Sequence, residues 1–167
     1  QATGPIDPAL FAQDLDTRAP LMESDEKVAR MAADACGAET DVARQARTLM
    51  QAVVAYADHY SKDASKPHCG RGSAQDCIEH GGGCCTDLHS LFVAMARSRG
   101  IPARIQYGYR VLDAKAGAEF DPGYRCWVEV FVPGSGWVPT DLVAADGAGA
   151  SQFGSLSASR VWLWAGR

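Results

Sequence analysis

Asparagine occurs nowhere in the 167 residues, so the chain carries no N-glycosylation acceptor. Long apolar runs are missing too, and nothing approaches the roughly 20 residues that a bilayer crossing needs. The chain does not open with a charged stretch followed by a short apolar one, the pattern of an export signal. No block of like charges accompanies the net charge of -4, which argues against nucleic acids and polybasic membrane contact as a general role. An acidic loop with calcium-ligand spacing is absent, and no segment repeats.

What is present is enough apolar material, 47% against 22% charged residues, for one core and one domain. The opening QATGPIDPAL is uncharged until Asp7. It reads equally as the mature end left by signal cleavage or as a mere boundary, so the expected compartment is secreted or periplasmic, with cytoplasm as the alternative. Six cysteines, at 36, 69, 77, 84, 85 and 126, are many for a cytosolic chain but do not make a disulfide scaffold when the apolar content supports a core unaided.

Helical spacing predicts a helix in SDEKVARMAADACG, capped at Ser24 or Asp25 and stopped by Gly37, and another in TDVARQARTLMQAVVAYADHY, capped at Thr40 or Asp41. Residues 61–83 are rich in Gly, Ser and Pro and read as an ordered functional loop. CCTDLHSLFVAMARSRG then sets Leu88, Leu91, Phe92, Met95 and Ala96 on one face, which predicts a buried helix. Alternation predicts strands in IPARIQYGYRV and over 124–132, joined by a loop at 112–123. PGSG turns the chain into WVPTD, and RVWLWAG follows a flexible AADGAGAS as a closing strand. Helices first and antiparallel strands last define an α+β class.

Cys84 and Cys85 follow Gly81, Gly82 and Gly83 at the first turn of the central helix. Unpaired N–H groups and the positive end of the helix dipole favour a thiolate there, and so lower the pKa that governs its nucleophilicity. The glycines let a substrate backbone come close, and the free N–H groups suit an oxyanion. The competing use of either cysteine is as a small core residue or disulfide partner.

At this point GGCCTDLHSLFVAMARSRGIPAR, YRCWVEVFVPGSGWVPTD and FGSLSASRVWLWAGR, three blocks in order, resemble the bacterial branch of the transglutaminase-like superfamily. The resemblance runs from about residue 26 to the end, leaving 1–25 as an N-terminal extension and 26–167 as the domain. It implies a papain-like core with a Cys-His-Asp triad, the nucleophile on a central helix packed on an antiparallel sheet. Block by block it implies Cys85 as nucleophile, Asp141 as the orienting acid, and Trp127 and Trp137 as the family's tryptophans. Arg125 falls where the family has histidine.

That departure matters because an imidazole can take a thiol proton and return it to a leaving amine, whereas a guanidinium stays charged. Arg125 can still attract a thiolate and pair with Asp141 through two parallel bonds. Three readings stay open. In one, Cys85 is the nucleophile and His89, four residues on and on the same helical face, moves protons; otherwise His89 is a helix histidine tied to a backbone carbonyl. In the second, Arg125 holds a permanent thiolate that attacks activated esters or thioesters. In the third, the cleft is inert and binds a peptide or small acidic ligand, with Arg125 as anchor.

Around these residues, Gln75 is a candidate second oxyanion donor, while Gly83, Tyr124 and Trp127 are candidate substrate-side residues. Cys126 alternates to the face opposite Arg125 and reads as core, and Asp87 in the helix's first turn reads as structural. His80 is a weaker alternative to His89. A zinc hook at Cys77-x-x-His80 competes with this reading, and no metal or other cofactor is expected. Disulfides Cys69–Cys77, the favoured one, and Cys36–Cys84 are the expected pairings in an oxidising compartment. The implied activity is cysteine-dependent hydrolysis or acyl transfer on an amide, ester or thioester of a peptide, protein or small acyl substrate. The alternative is an inactive binding module, and oligomeric state is not legible.

Overall fold

The computed structural model describes residues 5–68, 71–111, 123–143, 152–156 and 159–166. The first two helices form where the caps predict them. Helix α1 spans Glu26–Cys36 with Asp25 accepting the Val28 N–H, and α2 spans Val42–Tyr56 with Asp41 accepting the Arg44 N–H. Helix α2 stops four residues short of the predicted Tyr60, because Ala57 is already extended and Asp58–His59 (β1) turns to pair with another segment.

The expected 61–83 loop holds more structure than its composition suggested. Ser73 caps a seven-residue helix, α3 (Ala74–His80), and Gly82–Gly83 (β2) pairs parallel with β1, His59 opposite Gly83. Two residues later α4 (Cys85–Ser98) begins. It is buried on nearly every side, with Leu91, Phe92, Val93 and Ala94 fully inaccessible. Burying side chains of this size is worth about 1.5–3 kcal/mol each for the larger ones, so α4 is the element around which the others assemble. Gly100, at φ +72°, ends it, as a left-handed cap requires.

The remaining strands are β3 (Ala103–Arg110), β4 (Gly123–Val132), β5 (Gly136–Asp141), β6 (Gln152–Phe153) and β7 (Arg160–Gly166), in the antiparallel order β6-β5-β4-β3-β7. Strand alternation points Cys126, Val128 and Val130 at α4, each at most 1% exposed, and sends Trp127, Glu129 and Phe131 to the outer face. Part of that outer face is covered by the segment preceding α1, where the Phe11 ring packs 4.4 Å from Phe131. Buried Arg97, at the end of α4, ties strand and segment together by donating to the Ala103 and Asp16 carbonyls. The predicted connections at 112–122 and 144–151 lie outside the described residues.

Candidate functional site

Helix α4 starts at Cys85 because a carboxylate closes its first turn. Asp87, 1% exposed, accepts the Cys84 N–H at 2.9 Å through one oxygen and the Gly72 and Ser73 N–H groups at 2.9 and 3.1 Å through the other. Asp87 is thus structural, as expected. Its neighbours must be glycine: a Cβ on Gly83 would sit 2.6 Å from Asp87 Oδ2, and one on Gly82 would sit 2.0 Å from the Asp58 carbonyl oxygen. The missing Cβ atoms of these glycines therefore leave room for the protein's own groups.

The thiol electrostatics also differ from the lowering expected at a positive helix end. The Cys85 pKa is instead pushed up to about 11, first by its hydrogen bond with Cys126, with burial adding to this and the Cys84 bond opposing it. The Cys84 thiol is likewise raised, by its bond to Cys85 and by burial. The expected depressed thiol pKa is therefore overturned: at rest Cys85 keeps its proton.

That proton faces a line of polar groups. The Cys126 Sγ lies 3.1 Å from His89 Nδ1, and His89 Nε2 lies 3.4 Å from Asp141 Oδ1. The Leu142 N–H also approaches Nε2, at 3.2 Å, and the two approaches demand opposite tautomers. The carboxylate decides, because a buried ionised acceptor binds an N–H about twice as strongly as a neutral ring nitrogen does. Nε2 then donates to Asp141, and Nδ1 accepts from the Cys126 thiol. The backbone-carbonyl tie considered for His89 is not the bond it makes.

Asp141 is 1% exposed. Burial by itself would raise its pKa, but the bond and charge of His89, the charge of Arg160 and the Val143 amide outweigh it and hold the carboxyl below its usual range. Arg160, on β7, forms the ion pair with Asp141. This corrects the expected Arg125–Asp141 pairing. Arg125 donates from Nη1 to the Tyr124 carbonyl at 3.1 Å, on the part of β4 that lies beyond its last pair with β5, Val128 with Thr140.

Above the buried line, Tyr60, His68, Cys84, Cys85, Tyr124 and Arg125 enclose a shallow depression of about 210 Å³. Tyr124 is anchored there by a 3.0 Å hydrogen bond between its hydroxyl and Thr86 Oγ1. Tyr60 is fixed by its N–H donating to the Gly83 carbonyl at 2.9 Å. Its ring centroid stands 4.4 Å from that of His59 and 4.1 Å from that of His68. Buried His59 has its pKa lowered, first by burial and then by the charges of Arg125, His89 and Lys62, with Asp141 opposing.

Cys85, Arg125 and Tyr124 line the depression, and His89 and Asp141 lie buried behind Cys126. Gln75 does neither: its amide donates to the Glu23 carbonyl at 2.7 Å, and it lines a separate depression with Lys27 of α1 and its cap Asp25. Trp127 is also elsewhere, on the outer face with Arg104, Gln106, Glu129 and Trp162, because Cys126 takes the face toward α4. His80 ends α3 and is exposed. Cys77 is a free, fully buried thiol, which overturns the Cys69–Cys77 pairing. Cys36 and Cys84 are also free, and the Cys36 thiol is directed at the Gln45 carbonyl. Cys69 lies outside the described residues. Among the described residues, no group of three or more His, Cys, Asp or Glu side chains is placed to hold a metal ion, and no helix is long and apolar enough to cross a membrane.

Sequence reasoning passed over Arg160, His59 and Tyr60. Arg160 pairs across β3 at Arg110, a contact no local motif encodes. The last two lay inside the overextended prediction for helix α2, past its true end at Tyr56, where the β1 turn carries no strong sequence signal.

A cysteine at the start of a buried helix that packs on an antiparallel sheet defines a papain-like core. The chain belongs to the transglutaminase-like superfamily, whose family model matches residues 29–142. An uncharacterized protein of Haemophilus influenzae is 31% identical over 123 residues, 63% of this chain but 32% of the relative, so the chain spans about a third of that relative's length. Among solved structures, a candidate cysteine protease from Cytophaga hutchinsonii aligns over 96% of this chain and 48% of its own, with a TM-score of 0.69 and 19% identity. The periplasmic domain of TgpA from Pseudomonas aeruginosa aligns over 82% and 48%, with a TM-score of 0.59 and 23% identity. At these identities the two structures show the fold.

Proposed function

We propose that the domain performs cysteine-dependent acyl chemistry, hydrolysis or transfer, on a peptide or small acyl substrate, with Cys85 as nucleophile and the buried His89–Asp141 pair receiving its proton. The observation that carries this reading is the His89 ring held between Cys126 and Asp141, with Cys126 also the first cause of the raised Cys85 pKa. A thiol with its pKa near 11 is a poor nucleophile at neutral pH unless its proton moves as the bond forms. Cys126 supplies the route. As Cys85 Sγ bonds to the carbonyl carbon and the carbonyl π pair moves to oxygen, the Cys85 proton passes to Cys126. The Cys126 proton passes in turn to His89 Nδ1, and the imidazolium so formed is stabilised by Asp141.

Arg125, which falls where the family's histidine stands, is the positive charge at the rim, suited to a developing oxyanion or a substrate carboxylate. Tyr124 lines the same depression. Collapse of the tetrahedral adduct expels the leaving group and leaves a thioester on Cys85. Water then cleaves it, the acyl C–S bond breaks, and the thiolate recovers its proton from the His89 side.

p-Nitrophenyl acetate tests this. The wild type should release a burst of p-nitrophenol equimolar with protein, with one acetyl group on Cys85 by peptide mass spectrometry, and Cys85→Ser should show no burst. Acetyl found only on other residues, or no burst at all, would count against the reading. The raised thiol pKa specifically favours the second reading, an inactive module that binds acidic peptides at Arg125. That reading predicts no burst together with binding of an acidic peptide that Arg125→Ala removes.

A further inference from the structure

Leaving-group protonation needs a proton donor that faces the reacting atoms, and the buried line cannot serve. His89 is fully inaccessible, and both ring nitrogens are engaged, one by Cys126 and one by Asp141. Of the six residues around the depression, two are the thiols themselves, whose pKa values are raised, and Tyr124 is a phenol raised further by burial and by the Cys126 charge. Arg125 is a guanidinium that does not release its proton. Tyr60 is a second phenol. Among these lining residues the imidazole is that of His68, a group able both to give and to take a proton.

His68 is also seated. Its ring packs against Tyr60 at 4.1 Å, and the Tyr60 backbone is tied to Gly83, two residues before Cys85. The β1–β2 pairing therefore carries the Tyr60–His68 stack on the same short segment that leads into the nucleophile. Exposed on the solvent side, the imidazole can approach a leaving group that departs outward while the thiol proton goes inward.

Resting on the acyl chemistry proposed above, we infer that His68 is the catalytic acid for the leaving group, working from the rim independently of the buried His89. In its imidazolium form it gives a proton to the departing oxygen or nitrogen as the carbon–leaving-group bond breaks. The neutral ring then takes a proton from the water that attacks the thioester, which restores the imidazolium. Two histidines thus divide the work that one triad histidine performs: His89 accepts the thiol proton, and His68 serves the leaving group.

The test is leaving-group dependence, which a merely structural role would not alter. Cys85-dependent acetylation is measured with p-nitrophenyl acetate, whose phenolate leaves unaided, and with phenyl acetate, whose far less acidic phenol needs a proton. His68→Ala should leave the first rate within about twofold and lower the second by at least roughly tenfold, at the low end of what general acids contribute. Equal losses with both esters, or no loss with either, overturn the assignment of His68 while leaving Cys85 as nucleophile. A wild type that acetylates neither way in a Cys85-dependent manner overturns both.

Discussion

The floor and the rim of the site are built on opposite principles. Beneath Cys85, the Cys126, His89 and Asp141 side chains are at most 1% exposed, and each polar atom meets a partner across two secondary-structure elements. Around the opening, Tyr124 is 44% exposed, and the described hydrogen bond of Arg125 is to its neighbour's carbonyl. Buried polar groups are costly unless satisfied, so the floor is coupled to the stability of the fold. The rim residues are solvated and carry little of it. A site divided in this way can vary its rim, even replacing an imidazole by a guanidinium, without unfolding the protein.

The sharpest way to break this contrast is Asp141→Ala. It leaves the Arg160 guanidinium, whose side chain is 4% exposed, buried without its carboxylate, and His89 without its acceptor. Breaking a buried pair from one side costs about 3–5 kcal/mol, read from urea denaturation. The pH dependence has a definite sign. The folded carboxyl has its pKa lowered, so its contribution is complete above the unfolded value of about 3.9 and is lost as pH falls through the folded one. Denaturation series at descending pH should show that loss in the wild type and a flatter course in the variant. A loss under about 1 kcal/mol would show that the floor is not the stability-bearing half.

Cys126→Ala sharpens the comparison from within the floor. The first cause of the raised Cys85 pKa is the bond to Cys126, so its removal should bring the Cys85 titration down from about 11 toward the ordinary thiol range. Rates of iodoacetamide alkylation across pH report this directly. The same variant should lose the acetylation burst, because the thiol proton no longer has a path to His89. Easier alkylation together with slower acylation separates proton transfer from simple thiol acidity. An unchanged alkylation profile would mean that Cys126 is only packing, as its alternation in β4 suggested.

How much of this was legible depended on whether a feature was local. Asp25, Asp41 and Gly100 announced helix ends through short-range capping, and period-two alternation in β4 placed Cys126, Val128 and Val130 on the core face. The gathering of Cys85, His89 and Asp141 followed from three ordered blocks. What was not legible joins distant elements. Arg160 reaches Asp141 from a strand three positions away in the sheet, and the Cys85 pKa depends on a sulfur 41 residues away in sequence, Cys126. Gln75 and Trp127 were assigned by proximity in sequence or by strand face, and both went elsewhere, to Glu23 and to the outer sheet surface. The Gly, Ser and Pro content of 61–83 concealed α3, because a seven-residue helix is too short to show a period.

The smallest effect belongs to the rim. Arg125→Ala should change stability by no more than about 0.5 kcal/mol, the usual range for a surface side chain without a special role, because its one described hydrogen bond is to the carbonyl of the preceding residue. Its consequence should be kinetic. Loss of the positive charge beside Cys85 should slow acetylation while leaving iodoacetamide alkylation nearly unchanged, since alkylation develops no oxyanion. If Arg125→Ala destabilised the protein as much as Asp141→Ala, floor and rim would be one cooperative unit. If acetylation and alkylation slowed equally, the guanidinium would be acting on the thiol itself, and the permanent-thiolate reading would regain its ground against the raised Cys85 pKa.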